Sequence, residues 1–218
     1  MRLRLILPAL ALLALAIGCQ RAQPRQGRAP RPLLTSRQRK IVDAARALMH
    51  RHLVYRDAYY AGGDPPPDEG VCTDLVVRSL RAVGLDLRAL MNSDIKAAPQ
   101  AYPLSRWRQT APDRDIDHRR CPNQVAFFAR RGLRLTTRVA PGRPEIMSQW
   151  QGGDIVFWDL ADSGVVDHVG IVSDRRNRRG IPLVIHHLPG EGGVCEDDSL
   201  TAWTIVAHFR YPKPSPAN

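Results

Sequence analysis

One cysteine and three histidines in this chain stand where their types and order suit nucleophilic chemistry. Cys72 lies in the stretch Gly70 to Gly84, GVCTDLVVRSLRAVG. Val76, Leu80 and Val83 recur at i, i+4 and i+7, and Leu75 and Val77 widen the apolar stripe, so the spacing predicts a buried helix. Thr73 is expected to cap its start, and Gly84 sits where a left-handed C-terminal cap belongs. Cys72 then stands at or just before the first turn, where backbone N–H groups and the helix dipole favour a thiolate. Taken alone, the competing reading is a buried cysteine packed as a small hydrophobe. A nucleophilic thiolate needs a base that titrates in the right range, which histidine does. His168 opens the apolar run His168-Val169-Gly170-Ile171-Val172 directly after Asp167, and His186 and His187 close the run Leu183 to His187. Side chains alternate along a strand, so only one of His186 and His187 can share a face with His168.

The elements that must position these residues follow from periodicity. Ser36 is expected to cap a helix with Ile41, Val42, Ala45, Leu48 and Met49 at helical spacing, running to about His52. A Pro-rich loop from Asp64 to Glu69 delivers the chain to Cys72. Residues 86–118 read as a partly helical insert anchored by Tyr102 and Trp107. A further helix is expected from Pro122, with Val125 and Phe128 on its face and Gly132 as its stop. From Leu133 the period changes to two, and strands are predicted at Leu135–Val139, Asp154–Leu160, His168–Ser173, Pro182–His187 and Thr204–Arg210. Helices first and closely spaced strands afterwards predict an α+β fold with an antiparallel sheet.

The N-terminus reads differently from this core. Arg2 and Arg4 precede the apolar run Leu5 to Ile17, which is too short for a membrane span and suits a signal peptide. Its end, Leu15-Ala16-Ile17-Gly18-Cys19, resembles a bacterial lipoprotein signal, in which cleavage leaves Cys19 as a lipidated first residue. Ala16 stands where the usual pattern has Leu, and an ordinary signal peptide or uncleaved anchor is the alternative. Gln20 follows where Asp often retains lipoproteins in the inner membrane. The expectation is an exported, periplasmic chain, lipid-anchored at the outer membrane. It divides into a signal peptide at 1–18, a disordered tether at 19–34 that carries four arginines, three prolines and no acid, and one domain at 35–214. The net charge of +11 suits anionic lipid or cell wall. Nucleic-acid binding is the competing reading, but no recognition motif accompanies the charge, and no nucleic-acid partner is expected. Export also permits disulfides. With Cys19 lipidated, Cys72, Cys121 and Cys195 remain, and the expectation is a Cys121–Cys195 bridge with Cys72 reduced. Three free thiols are the alternative.

The order of cysteine, histidine, histidine resembles the NlpC-type branch of the papain-like cysteine peptidases, which cleave bacterial cell-wall peptides. That family's Tyr-x-x-Gly-Gly and Asp-Cys-Ser-Gly helix start resemble Tyr59-Tyr60-Ala61-Gly62-Gly63 and Val71-Cys72-Thr73-Asp74. Its Gly-Asp strand resembles Gly153-Asp154-Ile155-Val156-Phe157, its His-Val-Gly-Ile strand His168 to Ile171, and its last strand Val184-Ile185-His186. The resemblance implies Cys72 as nucleophile, His168 as base, His186 as the orienting residue and Tyr59 near the oxyanion, on a papain-like fold without a cofactor. More narrowly, GVCTD, the Asp115–Arg120 run, DIVFWDL, DHVGIVSD and the Trp203–Tyr211 ending resemble a bacterial domain-of-unknown-function family, number 1287. Asp74 departs from the small residue of the peptidase motif. A carboxylate beside a thiolate raises the thiol's pKa, unless Asp74 turns away, binds Arg119 or Arg120, or recognises an amine of the substrate. The segment RRNRRG lengthens the turn between the two histidine strands, and Glu196-Asp197-Asp198 reads as a solvated charge run. The function expected is amide hydrolysis in the peptide part of peptidoglycan or its fragments. The alternatives are a non-catalytic wall-binding lipoprotein and a metal-dependent amidase, although Asp115, Asp117 and His118 have no established zinc spacing.

Overall fold

In the computed structural model, residues 33–190 and 193–214 are described. The expected signal peptide and Cys19 lie outside them, as does all of the tether but Leu33 and Leu34. Among the described residues no helix is long and apolar enough to cross a membrane.

The first helix, α1 (Ser36–Ala47), is capped one residue earlier than expected. Thr35 accepts from the Gln38 N–H at 3.2 Å while the Gln38 side chain accepts from the Thr35 N–H at 3.0 Å, a capping box. A 3-10 turn, Leu48–Arg51, leads to the short parallel pair β1 (Val54–Tyr55) and β2 (Glu69–Gly70). The central helix α2 (Cys72–Arg81) buries nearly every side chain. Its C-terminus closes in a Schellman arrangement, with Leu85 N–H donating to Leu80 C=O at 3.1 Å and Gly84 N–H to Arg81 C=O at 3.0 Å. Gly84 takes φ +79°, a conformation that glycine adopts without a Cβ penalty. The insert contains α3 (Leu87–Ala97) and three 3-10 turns. Next, α4 (Cys121–Arg131) carries Pro122 in its first turn, and Gly132 ends it.

The second half forms one sheet. Its strands are β3 (Leu133–Arg134), β4 (Ile155–Asp159), β5 (His168–Arg176), β6 (Pro182–His187), β7 (Val194–Asp197) and β8 (Thr204–Arg210), with the short helix α5 (Pro144–Met147) before β4. They lie in the order β3-β8-β4-β5-β6-β7, each pair antiparallel. The fold is α+β. The strand expected at 135–139 is shorter and earlier, because pairing with β8 stops at Arg134, although Leu135 N–H still donates to His208 C=O at 2.9 Å. Strand β7 falls where a solvated charge run was expected.

Alternation gives the sheet two apolar faces. Ile155, Phe157, Val169, Ile171, Ile185, Ala207 and Phe209 pack with α1 to α4 around Val76, Leu80 and Phe128. On the other face Val156, Trp158, Val172 and Val184 pack with Trp150 and Leu200. The site forms where α2 meets the beginning of β5.

Candidate active site

Cys72 is the first residue of α2 and is 3% exposed. No side chain of Val71 caps the helix. Instead Asp74 turns back, and its Oδ2 accepts from the Val71 N–H at 2.8 Å. Thr73, expected as the cap, donates its hydroxyl to Arg119 C=O at 2.9 Å. Asp74 is also gripped by a two-pronged Arg119, Nε to Oδ1 at 2.9 Å and NH2 to Oδ2 at 3.0 Å, with both side chains almost wholly buried. The carboxylate is thereby committed to a guanidinium and a backbone N–H, which corrects the idea that it recognises a substrate amine.

His168 begins β5 opposite Trp158 of β4, and Gly170 lies opposite His186 of β6. His168 and His186 therefore share a face, and His168 Nε2 lies 2.9 Å from His186 Nδ1. Gly170 permits the approach, since a Cβ there would stand 3.1 Å from His186 Cβ and 3.2 Å from the Trp158 ring. With Nε2 turned to His186, Nδ1 is the nitrogen left for Cys72. Behind them, His186 Nε2 lies 3.2 Å from Asp197 Oδ2 and 3.3 Å from Ser199 Oγ, and Ser199 donates to the same carboxylate. Trp158 and Trp203 wall the two imidazoles. His187 points to the opposite face, against the edge of Tyr55 at 5.0 Å.

The electrostatics favour one thiolate. A hydrogen bond from Cys121 holds Cys72 down at about 5 against the opposing effect of burial, with His168 and the Val169 N–H adding to the effect. Cys121 is pushed well up by its bond to Cys72 and by burial. Burial lowers His186, partly countered by Asp197.

Several sequence expectations are displaced. Tyr59 is exposed and donates to Asp113 at 3.4 Å, so it is not the tyrosine beside the sulfur. Tyr55 is: burial raises its hydroxyl, and the charge of Cys72 and a hydrogen bond to it add to the shift. Tyr55 also lines a cleft of about 370 Å³ with His52, Leu53, Pro189 and Val194. The Cys121–Cys195 bridge is not formed, for Cys72, Cys121 and Cys195 are all free. Cys121 Sγ lies 3.9 Å from Cys72 Sγ, whereas Cys195, paired with His186 across β6 and β7, donates to Asp197 at 3.5 Å. Asp197, which no motif singled out, occupies the place behind His186. Its neighbours serve other ends: Glu196 binds Arg46 at 2.7 Å, and Asp198 accepts from Asn177 at 2.8 Å. Asp115, Asp117 and His118 pin loops, with Gly62 N–H donating to Asp115 at 3.0 Å and His118 Nε2 lying 3.0 Å from Gly63 C=O. Among the described residues, one group of three could hold a metal ion: donor atoms of His186, Cys195 and Asp197 lie within 4.8 Å of one another.

A family model described as "Domain of unknown function (DUF1287)" matches residues 42–211. The chain belongs to this family. It is also similar to the "Uncharacterized protein YijF" of Escherichia coli (strain K12), 41% identical over 175 residues, covering 78% of this chain and 80% of that protein. The matched span of the DUF1287 model contains every member of the cluster, from Tyr55 and Cys72 to Asp197.

Proposed function

We propose that this DUF1287 domain is a thiol-dependent amide hydrolase acting on the peptide part of peptidoglycan. The observation that carries the reading is the hydrogen-bonded line His168, His186, Asp197 beside Cys72, whose thiol His168 helps to hold down. Such an order gives a nucleophile, a base and residues that hold the base's ring. A thiol-bearing helix end packed on an antiparallel sheet that supplies the histidines resembles the papain-like arrangement and supports this reading.

In the proposed cycle the Cys72 thiolate attacks the amide carbonyl carbon. Protonated His168 gives its proton to the leaving amine, and a thioester remains. His168 then takes a proton from water, whose oxygen attacks the thioester carbon and returns the thiolate. In this cycle the backbone N–H of Cys72 and the Tyr55 hydroxyl are assigned as the oxyanion donors. His186, backed by Asp197 and Ser199, fixes the His168 ring. Wall peptides as substrate, and anchorage at Cys19 in the periplasmic leaflet of the outer membrane, rest on the lipoprotein-type N-terminus and the peptidase resemblance.

The test is digestion of purified cell wall, with the released fragments weighed. The parent protein should cleave a peptide-stem amide, and Cys72→Ala should release nothing above background. Equal digestion by Cys72→Ala refutes the proposal. Activity that a chelator removes but Cys72→Ala retains transfers the chemistry to His186, Cys195 and Asp197.

A further inference from the structure

Cys121 forms no bond to substrate in the proposed hydrolytic cycle, yet its sulfur is 3.9 Å from that of Cys72. Each residue opens a helix, α2 or α4, and each is buried, at 3% and 7% exposure. The third described thiol, Cys195, faces Asp197 on β7. We infer that Cys72 is a site of reversible oxidation and that Cys121 is the thiol that resolves it into a disulfide.

The oxidant class is a hydroperoxide. The Cys72 thiolate attacks the terminal peroxide oxygen, the O–O bond breaks, and the departing alkoxide or hydroxide takes the proton of His168 to leave as alcohol or water, so the sulfur becomes a sulfenic acid while the peroxide is reduced. The Cys121 sulfur then attacks Cys72 Sγ. The S–O bond breaks, the S–S bond forms, and the departing oxygen leaves as water with the Cys121 proton. With hydrogen peroxide the sum is two thiols and one peroxide giving one disulfide and two waters. An external dithiol reverses it by exchange.

The geometry suits this sequence. The sulfurs have only to close to about 2.05 Å, and both side chains sit at helix starts, where the chain enters from a loop. Burial of the pair leaves little room for a second peroxide before Cys121 arrives. The charge states fit as well: the neighbouring thiolate keeps Cys121 protonated, so Cys72 reacts first and Cys121 brings the proton that water needs. That oxidation silences the enzyme rests on the hydrolase reading, but the sulfur chemistry does not.

The experiment is peptide mapping of the full chain, parent and variants alike, after hydrogen peroxide in several-fold molar excess, with remaining thiols alkylated under denaturing conditions. The expected result is a linked Cys72–Cys121 peptide pair, loss of label at both residues, retained label at Cys195, and full recovery of label after dithiothreitol. In Cys121→Ser, and in Cys121→Ala as a second variant, Cys72 should carry two added oxygens that dithiothreitol does not remove. A parent protein in which Cys72 oxidises to the sulfinic acid as readily as in these variants, or links to Cys195 instead, overturns the inference. Because the readout is peptide mass, a chain that forms the bridge but digests no wall leaves this inference standing and fells only the hydrolase.

Discussion

At the scale of single residues, the site turns on two side chains that motif reading passes over. Tyr55 is close enough to Cys72 for the charge of the sulfur to act on its hydroxyl, while Tyr59, the motif tyrosine, donates to Asp113 at the surface. The two predict different kinetics. Tyr55→Phe should lower kcat on wall peptides by about 10²-fold, the cost of one oxyanion donor, and Tyr59→Phe should match the parent in the same assay. Asp197, behind His186, is the second. In sequence it is the middle of three acids, Glu196-Asp197-Asp198, and composition alone reads as a solvated run. Only the pairing of His186 with Cys195 fixes which acid returns to the His186 face two residues later, and pairing is a long-range fact. Cys72, His168 and His186 were legible because each marks an element boundary: a helix start, a strand start and a strand end.

At the scale of elements, the nucleophile is held by an ion pair that spans two of them. Asp74 of α2 closes the helix start through the Val71 N–H and takes the Arg119 fork from the turn before α4, and Arg119 continues to Ala58 C=O and the Tyr60 ring. One buried pair thus ties the Cys72 turn to the loop ahead of it and to the segment that delivers Cys121. Arg119→Ala leaves a carboxylate buried without its cation and should cost about 3–5 kcal/mol in denaturant unfolding, with loss of wall digestion. A change of under about 1 kcal/mol would show that the pair is not holding the turn. The helices themselves were readable from their apolar periods, and α4 starts beside its proline as expected. The misread cap at α2 has a physical reason: a hydroxyl near a helix start can accept from the helix or donate to a distant carbonyl, and Thr73 donates to Arg119 C=O.

At the scale of the whole molecule, a helical layer packs across one face of the sheet, and the candidate site lies where α2 meets the beginning of β5. The helical half brings Cys72 and Cys121, and the sheet brings His168, His186 and Asp197. Helices followed by strands were visible in the change of period at Leu133, whereas strand order, the short β7 and the meeting of the two cysteines depend on packing that local pattern does not carry. The central claim is that a residue of the sheet activates a residue of the helical layer, and the most direct measurement works across that gap. It is the pH dependence of alkylation at Cys72, read by peptide mass, in the parent and in His168→Ala. A thiolate reacts and a thiol does not, so the rate rises with pH through the Cys72 pKa. The parent should reach half its maximal rate near pH 5, and His168→Ala should move that point upward. A parent midpoint at the ordinary thiol value of about 8.5, or a midpoint that His168→Ala leaves unmoved, would contradict the account.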